Sequence, residues 1–325
     1  MDSAGLKMFE AVARTGGMNR AAAELGTVQS NVTARIRGLE EALGCALFER
    51  HSRGVVLTAA GQRLLPYARR LQALLAEAAQ AARDDGTPRG PLVIGSLETT
   101  AAMHLSPLLG GYAASCPAVD LAIRPGTTVE LIDSVLERRL DGAFVCGPVA
   151  HPDLNEQVMF AEELVVLAGP SVGSLEAAVG AGSPRIVVLR AGCSYRQRLE
   201  MVLARRGVAA PRLMEFGTLE TIFGCVAAGL GITLLPLALV GAMWRAGRVS
   251  MHRLPAAEAM VTTVFVHRRE AHVSSALRAF LDHVRVGALT RKQPEEATMT
   301  PMMANGVRRS PRNSQARIAA VPGTR

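Results

Sequence analysis

Residues 6–62 read LKMFEAVARTGGMNRAAAELGTVQSNVTARIRGLEEALGCALFERHSRGVVLTAAGQ, and the spacing of their apolar side chains decides how this part of the chain folds. Leu6, Phe9 and Val12 share one helical face, and Gly16-Gly17 stops that helix. Asn19 is placed to cap a second helix, whose Ala21, Ala22, Ala23 and Leu25 let neighbouring helices approach closely before Gly26 ends it in left-handed geometry. A third helix is predicted from about Ser30. Its apolar positions Val32, Ile36, Leu39 and Leu43 make one buried stripe, while Gln29, Ser30, Asn31, Thr33, Arg35 and Arg37 largely face away from it.

Outward from that stretch, residues 46–50 and 55–58 read as two short strands turning at His51-Ser52-Arg53-Gly54, a wing. Thr58 can cap a long helix in which Leu64, Ala68, Leu71, Leu75, Ala78 and Ala82 recur in steps of four and three, a seam that wants a partner helix. Pro66 interrupts its hydrogen bonding. The run DDGTPRGP (84–91) is a breaker-rich linker. Beyond it, coarse strands at 92–95, 119–123, 142–146, 163–168, 185–189, 212–216, 231–235 and 261–266 alternate with helical stretches, which predicts a mostly parallel sheet covered on both faces. From Leu289 on, Pro, Thr, Ser, Arg and Asn dominate without periodicity, and a disordered tail is expected.

A chain of 325 residues with 49% hydrophobic content has room for two or more cores. Aromatic residues make up only 4%, so those cores are expected to rest on Leu, Val, Ile and Ala. The formal net charge of +8 lies mostly in residues 288–325, whereas residues 1–86 are nearly balanced, so bulk charge alone says little about nucleic acid. Cys45, Cys116, Cys146, Cys193 and Cys225 are scattered, without paired or metal-ligand spacing, which fits a reducing cytoplasm. The amino terminus lacks the basic start and apolar run of a signal peptide. Residues 222–244 carry no charge and are long enough to cross a bilayer, but Gly224, Gly229, Gly231, Pro236 and Gly241 break them into a short helix, a turn and a strand, so no membrane is expected.

Residues 6–62 resemble the helix-turn-helix of LysR-type transcriptional regulators along their whole length: Phe9 in the first helix, the small-residue second helix, a third helix ending in LEEALG, then LFER and the RGV.LT.AG wing. Asn31-Val32-Thr33 depart from the proline, apolar residue and serine that many members carry there. GSLETTAA (95–102), the run 125–145, GCSYR (192–196) and the run 217–236 resemble landmarks of the same family's sensor domain. The resemblance implies an α/β protein overall, divided into a winged helix-turn-helix (1–60), a linker and dimerisation helix (61–86), a two-lobed periplasmic-binding-protein type 2 domain (90–287), and a tail (288–325). Lobe I is expected at about 90–167 and 260–287, and lobe II at about 168–259. It also implies a homodimer or homotetramer that binds double-stranded DNA, engages RNA polymerase and responds to a small effector.

Recognition of duplex DNA needs a helix that fits the major groove, side chains for base edges and cations beside phosphates. Gln29, Ser30, Asn31, Thr33 and Arg35 are the candidates for bases and nearby phosphates, with Arg37 as a further phosphate contact and Arg50 and Arg53 on the wing. For the effector, the resemblance places a cleft between the lobes, where Ser96, Glu98, Thr99, Thr100, Thr127 and Thr128 face Cys193, Ser194, Tyr195 and Thr218. These hydroxyls equally suit helix capping. Glu98 opposes an acidic ligand and admits an amine-bearing one such as an amino acid. A thiol at a helix start such as Cys193 can be acidified, yet no base is fixed beside it. No catalytic constellation, cofactor motif or metal spacing is present, so neither an enzyme nor a cofactor is expected. An exported solute-binding protein would share the two lobes but not residues 1–86, and an enzyme built on residues 90–287 would need catalytic groups that the sequence does not supply.

Overall fold

The computed structural model describes residues 1–51, 54–180, 184–208 and 210–298, without the side chains of 50 and 288–298. Met1–Ala288 form one compact unit, and the remainder from Leu289 is a separate one.

Helix α1 (Ser3–Thr15) starts where the Asp2 carboxylate accepts the Gly5 amide at 2.7 Å, and it stops at Gly16, left-handed with φ 69°. Helix α2 (Met18–Glu24) is capped by Gly17, two residues ahead of the expected Asn19 cap, because Gly17 already adopts the extended cap geometry. Helix α3 (Gln29–Leu43) buries Val32, Ile36 and Leu39. Leu43, expected in that stripe, is 39% exposed because the chain turns away at Gly44. Strands β1 (Phe48–His51) and β2 (Gly54–Leu57) form the antiparallel wing. Gly54 fits its place because an added Cβ would lie 2.9 Å from the Gly16 carbonyl, to which the Val55 amide donates.

Helix α4 (Ala59–Arg83) is capped by Thr58, whose hydroxyl accepts the Gly61 amide at 3.0 Å, and it contains Pro66. Its seam is divided. Ala68 is buried, and Leu64 and Leu71 pack into the core with Phe9 and Val12 of α1, whereas Leu75 is 47% exposed. Among the described residues, the carboxyl half of the seam is therefore the part left without an apolar partner.

After the linker come β3 (Gly90–Ser96), a helical run made of α5 (Glu98–Thr100), a π turn (Ala101–Leu105) and α6 (Ser106–Ser115), then β4 (Val119–Pro125), α7 (Thr128–Leu136) and β5 (Gly142–Cys146). Next are β6 (Leu154–Ala168), α8 (Leu175–Val179), β7 (Arg185–Leu189), α9 (Ser194–Ala204), β8 (Arg212–Phe216), α10 (Leu219–Ala227), β9 (Thr233–Pro236) and α11 (Leu237–Arg245). The chain continues through β10 (Ser250–Arg253), α12 (Ala256–Ala259) and β11 (Met260–Arg268) to α13 (Ser275–Thr298). Helical backbone thus reaches ten residues past the point where composition placed the tail. Within the first unit α13 is anchored by Leu277, Phe280 and Leu281. Residues 299–325 of the expected tail lie outside the described residues.

The sheet is not mostly parallel. Strand β3 pairs in parallel with β4 and β5, and β7 with β8, but β11 runs antiparallel to β5 and β6, and β6 antiparallel to β9 and β10. The reason is connectivity: β6 and β11 are long crossing strands that pass from one lobe to the other side by side. Their register slips between Thr263 and Val264, leaving Met159 unpaired and bending the ribbon where the lobes meet. The first half of β6, residues 154–162, and β10 escape a reading by pattern because their apolar residues are interrupted by charges or too few. The uncharged stretch 222–244 resolves into α10, β9 and α11, and no helix of the described residues is long and apolar enough to cross a membrane.

An aliphatic core of Leu, Val and Ile, as composition suggests, fills the second lobe and continues beneath α7 of the first. The other face of the first lobe differs. It gathers Phe144, Phe160, Phe265, Phe280 and Tyr112, with Phe144 5.0 Å from Phe265 and Tyr112 5.2 Å from Phe280. Gly142 abuts this cluster: a Cβ there would lie 2.2 Å from Phe265 and 2.9 Å from the Val266 carbonyl. Gly142→Ala is therefore expected to destabilise the protein by about 1–3 kcal/mol through overpacking, measured by urea unfolding. An unchanged midpoint and slope would contradict this packing.

Burial holds the imidazoles of His252 and His267 below the ordinary value of 6.5. The folded protein then binds fewer protons than the unfolded chain at and just below pH 6.5, so stability from these two groups is present above that value and is lost as pH falls through it. The double variant His252→Asn, His267→Asn is expected to flatten the dependence of the thermal midpoint on pH between 7 and 6, and a slope equal to that of the parent would exclude these histidines as its source.

Candidate DNA interface and ligand cleft

The outer face of α3 carries the expected group. Gln29, Ser30, Asn31, Arg35 and Arg37 are exposed and Thr33 is half-buried. Side chains one turn apart are linked: the Gln29 amide donates to Thr33 Oγ1 at 2.9 Å, and the Asn31 amide to Thr27 Oγ1 at 3.0 Å. Residue Val28 precedes the helix and offers no side-chain cap, so the first amides of α3 stay open at the exposed end. Arg35 Nη1 donates to Asp2 Oδ2 at 2.9 Å, and Asp2, held mainly by the Gly5 amide and further by Arg35, lies below the usual carboxylate range. No local pattern marks Asp2 as part of this face, because its partner is 33 residues away. Glu40 Oε1 accepts the Leu47 amide at 2.8 Å and the Phe48 amide at 3.3 Å, fixing the wing to α3. The side chain of Arg50 and the whole of Arg53 lie outside the described residues.

The carboxyl ends of β3 and β4 in one lobe face those of β7 and β8 in the other, and between them lies a cleft of about 350 Å³. Six of the ten expected residues line it: Glu98, Thr99, Thr127, Cys193, Ser194 and Tyr195. Four do not. Ser96 is fully buried and donates to the Leu97 carbonyl, and Thr100 is fully buried with no hydrogen-bond partner for its Oγ1 among the described residues. Thr128 stands just behind, accepting from the Cys146 amide at 3.3 Å and from Ser194 Oγ at 2.9 Å. Thr218 caps α10, and Gly217 lines the cleft in its stead. The remaining wall is Leu97, Pro125, Gly126, Leu189 and Arg190, which no polar pattern in the sequence marks.

Thr127 begins α7 with a capping box in which its hydroxyl accepts the Glu130 amide while Glu130 accepts the Thr127 amide at 2.9 Å. That amide, with Arg190 beside it, keeps the Glu130 carboxyl below its ordinary range. Across the cleft, Gly192 is left-handed at φ 89°, and an added Cβ would lie 2.8 Å from Thr127 Oγ1, so the lobes approach here as only glycine allows. Glu98 crosses to the Leu219 amide at 3.3 Å and occupies the start of α10. Beneath the cleft, Tyr195 Oη donates to Glu162 at 3.0 Å, and Glu162 meets His104 Nε2 at 2.8 Å. Burial and the neighbouring Glu162 push the Tyr195 hydroxyl well above its usual value, so it stays a donor. Burial also pushes the Cys193 thiol up, against the acidification that a helix start suggests, because removing a thiolate from water outweighs the nearby amides.

These features define a class: a winged helix-turn-helix joined by a long helix to a two-lobed α/β domain with a cleft at its strand ends. Residues 4–62 match the family described as bacterial regulatory helix-turn-helix protein, lysR family, and residues 85–288 match the LysR substrate binding domain. The chain belongs to the LysR family, DNA-binding transcriptional regulators that carry an effector-binding domain. It is 46% identical over 282 residues to the uncharacterized HTH-type transcriptional regulator YusT of Bacillus subtilis, covering 87% of this chain and 95% of that one. It is 41% identical over 280 residues to GltR of the same organism, covering 86% and 95%. Full-length CbnR in complex with its target DNA has a TM-score of 0.62 at 25% identity, covering 88% of this chain and 100% of that one. A full-length OxyR from Pseudomonas aeruginosa has a TM-score of 0.64 at 22% identity, covering 88% and 95%, a likeness of fold.

Proposed function

We propose that this regulator reads duplex DNA with the outer face of α3 and that a small zwitterionic metabolite in the cleft alters its hold on DNA without being transformed. The observation that carries the reading is the pairing of opposite charges in one cleft of metabolite size: Glu98 on one wall and Arg190 on the other. The carboxylate of an amino acid is received by Arg190 and the uncapped start of α9, and its ammonium by Glu98. Gln29, Ser30, Asn31, Thr33 and Arg35 meet base edges and nearby phosphates, with Arg37 on phosphate and Arg50 and Arg53 following the backbone from the wing. The exposed Leu74 and Leu75 on α4 are covered by a second copy, giving a homodimer or homotetramer in the cytoplasm that engages RNA polymerase at its promoters.

The test is recovery of the genomic fragments that the full-length protein retains. The reading expects a shared inverted repeat with its half-sites about one helical turn or a multiple apart. Fragments with no common sequence, or with single half-sites only, would overturn it.

A further inference from the structure

We infer that α7 is the element through which the cleft acts on the DNA-binding half, and that Glu77 of the linker helix α4 receives its movement. The inference rests on the cleft being the effector site, and it adds how that site is heard.

The two ends of α7 have different partners. At the amino end, Thr127 lines the cleft, Thr128 holds Ser194 of the opposite lobe at 2.9 Å, and Glu130 faces Arg190 at 3.3 Å. At the carboxyl end, Arg268 Nη1 donates to the carbonyls of Val135 at 2.9 Å and Leu140 at 3.1 Å, while its Nη2 donates to Glu77 at 2.8 Å. Arg138, two residues past the helix, donates to the same Glu77 carboxylate. One acidic side chain of α4 is thereby clamped by two guanidinium groups fixed to the end of α7, all three of them four-fifths buried or nearly so.

Between its ends α7 has no slack. It is nine residues long, about 13 Å, and buries Leu131, Ser134 and Val135. Leu131 is seated so tightly that a Cβ on Gly95 or Gly126 would come within 2.9 Å of it. A helix so held tilts or slides as a body, so a change in lobe closure at Thr128 is felt at Arg138. Backbone strain points the same way. Arg138 is left-handed at φ 63°, a conformation that glycine adopts freely, and an arginine stands there with its side chain on Glu77. A second contact, from Asp84 at the end of α4 to Ser275 and His272, fastens the linker to the start of α13 and does not involve α7.

Hydrogen exchange on the full-length protein tests the joint without ligand or DNA. Thr128→Val removes the hydroxyl that Ser194 and the Cys146 amide use, and is expected to speed exchange of amides 72–83 in α4 about fivefold or more. Glu77→Gln is expected to speed the same amides by itself, and Thr128→Val added to it should then change them less than about twofold. In an Asp84→Asn background the Thr128→Val effect should persist in full. Unchanged α4 exchange in Thr128→Val, an undiminished effect in the Glu77→Gln background, or an effect equally reduced in the Asp84→Asn background would overturn the assignment. Coupling that passes this test while no metabolite alters DNA binding would instead refute the reading of the cleft and leave the joint standing.

Discussion

Replacing Gln29, Asn31, Thr33 and Arg35 together with alanine is expected to weaken binding to the recovered operator about a thousandfold or more, since base contacts are worth about 1–3 kcal/mol each. The helix itself should survive, because Val32, Ile36 and Leu39, which hold α3 against α1 and α2, are untouched. Fluorescence anisotropy with specific and scrambled duplexes separates the roles. Removing a base-reading side chain narrows the gap between the two, whereas removing a phosphate-binding one weakens both alike and lowers the salt dependence. Arg35 is the most informative single site. Its guanidinium is held by Asp2, so Arg35→Ala also leaves a carboxylate without its cation near the DNA, and the loss should shrink in Asp2→Asn, Arg35→Ala. Retained affinity and preference in the fourfold variant would remove α3 from the interface.

The second large effect is at the cleft. Glu98→Gln is expected to raise the Kd of an α-amino acid ligand about ten- to a hundredfold, the scale of one charge-assisted hydrogen bond, and Arg190→Gln to do the same from the other end. The ligand pair that discriminates is an amino acid and its deaminated hydroxy analogue, compared by calorimetry. The parent should prefer the amine, and Glu98→Gln should erase that preference. A parent that binds the hydroxy acid more tightly would refute the zwitterion reading.

How much of this was legible follows from the range of the interactions. Helix faces, the wing and the Thr58 and Thr127 caps are local patterns, readable from residues within a turn of each other. So were the cleft residues that follow strand ends, Glu98, Thr99, Thr127 and Cys193-Ser194-Tyr195. What escaped depends on partners distant in the chain. Arg190 looks like any surface arginine until β7 sets it opposite Glu98, and Glu162, next to Glu163 in the charged half of β6, looks solvent-facing until the fold buries it. The antiparallel course of β6 and β11 was invisible for the same reason, since strand direction is set by the lobe exchange and not by composition. Thr100 illustrates the converse error: its position after β3 fits a ligand contact, yet the helical turn rotates its hydroxyl into the core.

The most direct measurement is a footprint of the full-length protein on its recovered operator, with and without a metabolite that raises its thermal midpoint. The account predicts that the metabolite changes the protected pattern, is recovered chemically unaltered, and loses its effect in Glu98→Gln while ligand-free protection stays the same. An identical footprint at saturating metabolite, or conversion of the metabolite to a product, would contradict it.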